Sequence, residues 1–364
     1  MTSENLVINI GPQHPSTHGG LHVEAELTGE TISKATVHLG YVHRGMEYLA
    51  ERHTYQQFIP YTSRLDYLAS QLPTWGYCMA VEKLAGIEVP ERAEYIRVIM
   101  GELSRIASHL LFFGSFCIDL GATTGLIYAF RDREKILKMF EMTSGSRMIT
   151  TYMRFGGVAE DLPEEFFPAV REFLDLLPAS LKEYHNLVSG NEMFRERVIG
   201  VGHLPASLAI NLGVTGPNLR ASGIRYDLRK VEPYSVYDRF DFNVPIQTDG
   251  DCWARYLIRL EEIQECARII EQALKGLPDG EIKGKVPRTL KPEAGEAYTR
   301  IESSKGELGY FLVSDGSDKP YRVHIHAPSF VNLQALEIIS EGYSIQDLVA
   351  NLASMDPVLG ESDR

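Results

Sequence analysis

At 364 residues, with 44% hydrophobic and 23% charged side chains, the chain has the composition of an ordinary folded protein and the length for one large core or two smaller ones. Lys and Arg number 36 against 49 Asp and Glu, a formal net charge of −13. That balance argues against a nucleic-acid backbone as the main partner, because phosphate binding needs a basic face.

The chain opens on the polar run Met1 to Asn5, which is unlike a basic-then-apolar leader. Leu6 to Ile10 reads as a strand. His22 to Leu27 alternates, and a Thr28-Gly29 turn leads to Thr31–Leu39, suggesting a hairpin. After Tyr41 the pattern becomes helical. The clearest helix runs from Glu91 to Phe116, with Ile96, Ile99, Leu103, Ile106, Leu110 and Phe113 at helical steps and Pro90 near its start. Helices are also expected over Ile127–Thr143, Glu164–Ser189 and Cys252–Leu274; the last has an apolar side and a side of Glu and Arg. A Gly/Pro/Lys-rich connector follows Gly276 to about Ala297. Beyond it, strands Gly309–Ser314 and Tyr321–Ala327 flank the turn-forming run Asp315–Pro320.

The fold class is α+β, mainly helical, with small β elements near both ends. Nothing in the pattern requires the two ends to meet, and nothing forbids it. The apolar stretch Ile106–Phe130 is broken by Asp119 and several glycines, so no uncharged run reaches the roughly 18 to 20 residues that spanning a bilayer needs; it reads as buried core. Cys78, Cys117, Cys252 and Cys266 form no CxxC pair. A disulfide framework is the poorer reading and a reducing, cytoplasmic setting the simpler one.

The segment Gly11–Gly20, GPQHPSTHGG, sets His14, His18 and His22 four residues apart. On a helix that spacing would align metal ligands. Pro12, Pro15, Gly11, Gly19 and Gly20 make a continuous helix improbable, so the spacing carries no geometric meaning. The bland alternative is a rigid turn with structural or exposed histidines.

GPQHPSTHGG resembles the 49-kDa, or D-type, subunit family of respiratory complex I. So do HRGMEYLAE (His43–Glu51), RLDYLAS (Arg64–Ser70), Val81–Leu110, MRFGGVAEDLPEE (Met153–Glu165), LRASGIRYDLRK (Leu219–Lys230), Ser303–Phe330 and SMDPVLGESDR (Ser354–Arg364). The blocks keep the family's order from end to end. The resemblance implies a helical core like that of nickel–iron hydrogenase large subunits. Those enzymes carry an RGxE motif, a CxxC pair after an Arg, and a second CxxC after Asp-Pro. Here Arg44-Gly45-Met46-Glu47 keeps the first motif. Asp66 and Ala69 stand where the first cysteines would be, and Val358 and Glu361 follow Asp356-Pro357 in place of the second pair. Without thiolates a nickel–iron site has no soft ligands, and no resident metal is expected.

By the same resemblance the vacated place takes a quinone, with His18 and Tyr67 as headgroup partners and Asp119 as the carboxylate orienting His18. The residue types suit this chemistry. A phenol with a pKa near about 10 is a neutral donor, and imidazole gives up a proton in an accessible range. The competing readings are a helix-end or turn carboxylate for Asp119 and a half-buried core aromatic for Tyr67. No dinucleotide or phosphate-loop motif is present, and no covalently bound cofactor is expected. The resemblance puts the electron source, an iron–sulfur cluster, in a B-type partner, with Arg44 beside it; the alternative for Arg44 is a surface ion pair with Glu47. C-type, I-type and membrane H-type subunits are further implied partners of a hetero-oligomeric, ion-translocating complex on the cytoplasmic side of the membrane. The electron donor (NADH, ferredoxin or a deazaflavin) lies in other subunits.

Two features depart from the family. Many relatives carry a histidine after the SGxRM motif; here Ser144-Gly145-Ser146-Arg147-Met148 leads into Ile149. An apolar residue gives the cluster neither proton nor hydrogen bond, which suits a lower, less pH-dependent potential and a quinone such as menaquinone. The connector Gly276–Ala297 is also short. The chain divides into an N-terminal β region with the quinone-site loop (1–45), a helical core (46–276), a connector (277–300) and a C-terminal β/α region (301–364). Two other functions stand against the catalytic one: a redox-inert scaffold docking cluster proteins to a membrane arm, and a metallohydrolase using the N-terminal histidines.

Overall fold

The computed structural model describes residues 5–17 and 19–364. About half of the chain is helical, with small antiparallel sheets. The first sheet is a meander of β1 (Asn5–Ile10), β2 (His22–Thr28) and β3 (Thr31–His38). Alternation along β2 puts Val23, Ala25 and Leu27 on the buried face, as period-two patterning requires.

Helices α1 (Met46–Arg52), α2 (Tyr55–Thr62) and α3 (Gln71–Ala85) follow. Thr54 begins α2 with a reciprocal capping box to Gln57. The long α4 spans Glu91–Asp119 and α5 spans Thr123–Ser144. A two-residue ribbon, β4 (Met153–Arg154) with β5 (Gly157–Val158), precedes α6 (Phe166–Tyr184). The expected helix to Ser189 closes instead as a π-helical turn, His185–Ser189. Short helices α7 (Glu192–Val198), α8 (Ala206–Asn211), α9 (Pro217–Ala221) and α10 (Leu228–Val231) lead to α11 (Cys252–Gly276).

The second sheet has β6 (Gly295–Glu302), β7 (Glu307–Ser314) and β8 (Arg322–His326). β6 begins inside the segment read as connector; Gly and Pro around it hid a strand that alternates only weakly. Helices α12 (Pro328–Ser340), α13 (Ile345–Met355) and α14 (Leu359–Ser362) end the chain.

The main core is built on α3, α4, α5, α6 and α11 with the inner face of β7. Ile106–Phe130 is divided between α4 and α5, and no helix among the described residues is long and apolar enough to cross a membrane. All four cysteines are buried and unpaired with one another. The charged side of α11 departs from the amphipathic expectation in its first half, where Arg255, Arg259 and Glu262 are buried, while Arg268 and Glu271 further on are exposed.

The two ends of the chain do meet. A second cluster joins Leu21, Val23, Ala25 and Leu27 to Leu336, Leu348, Leu352 and Leu359. Asp363 accepts the backbone amides of Gly40 (2.8 Å) and Val42 (2.7 Å). Leu336 is fully buried in that seam, so Leu336→Ala should cost roughly 2–5 kcal/mol. Thermal unfolding would show this as a lowered midpoint, and an unchanged midpoint would mean that the seam adds little.

Candidate functional site

Two segments distant from each other in sequence converge on Arg44, which precedes α1. One of its guanidinium nitrogens donates to the carbonyl of Arg64 (3.0 Å) and to that of Gly360 (2.7 Å). Only glycine fits at 360, because a Cβ there would lie 2.7 Å from the Leu65 carbonyl oxygen and 3.0 Å from the Arg44 guanidinium. The alternative pairing of Arg44 with Glu47 is not what forms; Glu47 is engaged with Arg322 (3.1 Å) and His324 (3.1 Å).

The turn held by Arg44 carries Asp66 and Tyr67. Asp66 is fully buried. Its Oδ1 accepts the amides of Leu68 (3.0 Å) and Ala69 (3.1 Å), and its Oδ2 accepts the Ser304 hydroxyl (3.1 Å). Burial raises its pKa and the Lys305 ammonium opposes that. Lys305 Nζ sits 2.5 Å from Asp356 Oδ2, which Arg259 also approaches at 3.4 Å. Ala69 and Val358 are buried as well. Tyr67 is half-buried. Burial, then Asp66, raises its pKa while Arg44 opposes, so the phenol is neutral near pH 7 and able to donate. Glu361 is fully buried, and its carboxyl is pushed up to about 8, by burial first and by Asp66 next.

The GPQHPSTHGG loop packs beside this point. Its Pro15–Thr17 turn is a 3₁₀ turn resting on α13. Thr17, buried, donates to the carbonyl of His14 (2.8 Å) and shares that hydroxyl with the carbonyl of Gly19 (3.1 Å). His18 lies outside the described residues. Gly11 has φ +87° and a Cβ there would meet the Leu21 carbonyl oxygen at 2.0 Å, so the position requires glycine. His14 is exposed, and His22 lies on β2 with Nε2 2.8 Å from Asn9 Oδ1. Among the described residues no group of three or more His, Cys, Asp and Glu is placed to hold a metal.

Asp119 is the last residue of α4 and is half-buried. Ile149 is exposed, in the loop after α5. That loop is tied to the Tyr67 turn, since the Ser70 hydroxyl donates to the Met148 carbonyl at 2.6 Å.

Residues 119–364 match the family model described as the 49 kDa subunit of respiratory-chain NADH dehydrogenase. The chain belongs to this family. A relative from Desulforamulus reducens, named as the D subunit of NADH-quinone oxidoreductase, is 55% identical over 361 residues, covering 99% of both chains. One of the same name from Clostridium beijerinckii is 55% identical over 362 residues, 100% of this chain and 98% of the relative. Another, from Geobacillus thermodenitrificans, is 49% identical over the full length of both. The matched span includes Lys305, Asp356 and Glu361, and the full-length relatives cover Arg44 and Tyr67 as well.

Behind the site lies a group of buried ions that the sequence reading missed. Arg220 pairs with Glu302 (2.7 Å) and with Glu262, whose other oxygen lies 2.8 Å from His109 Nε2. All four are buried. The available signal was the row Glu102, Arg105, His109 on one side of α4, which resembles a solvated stripe unless its burial is known. His109 Nδ1 has no hydrogen-bond partner among the described residues. That suits a neutral ring donating from Nε2 to a carboxylate already paired with Arg220. Burial accordingly lowers the His109 pKa from 6.5 to about 4. A histidine depressed on folding contributes stability above its unfolded pKa and loses it as pH falls from about 6.5 to about 4. The loss should be roughly 3 kcal/mol. Unfolding measured across that range should weaken in the native protein and weaken less in His109→Gln; parallel curves would show that His109 is not the group responsible.

Proposed function

We propose that this chain is the quinone-binding catalytic subunit of a complex-I-type oxidoreductase. Electrons arrive from an iron–sulfur cluster held by a B-type partner subunit. The quinone headgroup lies between His18 and Tyr67, with Asp119 orienting His18, and its reduction is coupled to proton translocation in membrane subunits. The observation that carries this reading is the meeting of Arg44, the Tyr67 turn and Gly360-Glu361 at one place.

In a hydrogenase-like frame that place would hold nickel and iron, and the residues present do not fit that group. Two of the four ligand positions are apolar, Ala69 and Val358. The other two are carboxylates engaged with backbone amides and with Ser304 or Ser329. The Lys305 ammonium bonded to Asp356 places a cation next to them. What remains is a neutral phenol beside an arginine, which is a hydrogen-bond donor set for a carbonyl oxygen.

Asp119 is better explained by a histidine partner than by helix capping. It stands at the C-terminal end of α4, where the helix dipole disfavours a carboxylate. Ile149, on a loop tied to the Tyr67 turn, supports a cluster of lower, less pH-dependent potential and a low-potential quinone such as menaquinone. The family resemblance supports a peripheral subunit of the membrane complex, on the cytoplasmic side and in contact with B-, C-, I- and H-type proteins; no helix among the described residues is long and apolar enough to cross a membrane.

In the purified complex, Tyr67→Phe, His18→Ala and Asp119→Asn should each lower quinone reduction by roughly ten-fold or more, with reduction of artificial electron acceptors retained. Unaltered quinone reduction in all three would leave a docking scaffold as the better reading. Redox titration of the partner cluster at several pH values should give a shallow slope. A steep slope would remove the argument from Ile149.

A further inference from the structure

Glu361 is a buried titratable group to which the quinone reading assigns no role. Its Oε1 accepts both the amide (3.0 Å) and the hydroxyl of Ser329, at the start of α12. Its Oε2 is buried and has no hydrogen-bond partner among the described residues. A bare anionic oxygen in that setting is unfavourable, whereas a protonated carboxyl carrying its hydrogen on Oε2 is tolerable.

The groups facing Glu361 come from several elements. Asp66 and Tyr67 face it from the turn before α3, Lys305 from the β6–β7 turn and Tyr310 from β7. Asp356 lies behind Lys305. Burial and the Asp66 carboxylate favour the neutral acid, while the Lys305 ammonium stabilises the anion once the proton has left. The backbone fixes Glu361 relative to Tyr67 as well. Arg44 grips the carbonyl of Gly360, the residue before Glu361, and the same nitrogen grips the carbonyl of Arg64 in the Tyr67 turn.

We propose that Glu361 holds the proton that restores Tyr67 after the phenol has donated to the quinone, a role that rests on the quinone reading above. Reduction of the quinone to the quinol takes two electrons, from the partner's cluster, and two protons. One proton leaves the Tyr67 hydroxyl for a quinone oxygen, and the other reaches the second oxygen from the His18 side. Because Glu361 Oε2 has no direct hydrogen-bond partner among the described residues, its proton then passes to the Tyr67 phenolate through an intervening water; its anion is held beside Lys305, and a proton from solvent restores the acid. Glu361 is a supporting residue here, acting through Tyr67 and touching no substrate.

The test is the pH profile of quinone reduction by the assembled complex. The native enzyme should lose activity as pH rises through about 8, where Glu361 ionises. Glu361→Gln, nearly isosteric and unable to donate, should lower the rate roughly ten-fold or more and show no inflection near that pH. Glu361→Asp should keep the inflection at a reduced rate. Electron delivery to an artificial acceptor should be unchanged in both. A native profile flat through that range overturns the proposal without any variant. So does a Glu361→Gln enzyme with the native rate and inflection. If Tyr67→Phe, His18→Ala and Asp119→Asn all leave quinone reduction intact, the quinone reading fails; if Tyr67→Phe is impaired while Glu361→Gln is native, only the role of Glu361 fails.

Discussion

Arg105, from the middle of α4, donates to the carbonyls of Ser303 (2.6 Å) and Glu302 (2.7 Å). Much of the site depends on that grip. The β6–β7 turn begins at those two residues, and it delivers Ser304 to Asp66 and Lys305 to Asp356. Arg105 is fully buried, as are its neighbours Glu102, Arg229 and Asp227. An arginine inside a core is tolerable only when its charge is paired and its donors are used. Glu102 answers that need, accepting from Arg105 (3.3 Å), Arg229 (3.0 Å) and Tyr237 (2.6 Å). Removing one member would strand the others, so this region tolerates little rearrangement. That rigidity suits a turn that must hold an ammonium in one position.

The site itself is assembled from backbone as much as from side chains. Arg44 gains its position by binding two carbonyls from separate segments, and Gly360 permits the approach by lacking a Cβ. Asp66 spends one oxygen on its own turn and offers the other to Ser304. Carboxylates placed in this way are poor ligands for a soft metal and good at tuning a nearby phenol or acid.

A large part of the fold was legible in the residues. The periodicity of α4 and α11, the hairpin of β2 and β3, and strands β7 and β8 stand close to where pattern and turn residues placed them. Strand β6 was hidden by the glycines and prolines around it, and the π turn after α6 has no sequence signature of the kind that caps supply. The candidate site was less legible. Asp66 and Glu361 were visible only as replacements for cysteines. Lys305 carried no local signal and His109 only a row that resembles a solvated stripe, because their meaning comes from Asp356, Glu262 and the burial of all four.

The sequence by itself determined that this is a mostly helical chain of the 49-kDa type, without cysteines in the Arg64–Ser70 and Ser354–Arg364 segments and with a proline- and glycine-rich loop that cannot be a helix. Those are properties of residue type and local spacing, which need no fold to be read. Only the tertiary structure decided that Arg44, the Tyr67 turn and the last residues of the chain share one place. It also decided that Arg255, Arg259 and Glu262 of α11 face inward. The physical reason is that hydrogen bonds between distant segments and the burial of paired charges depend on through-space contacts spanning as many as 323 residues, over which local pattern carries no information.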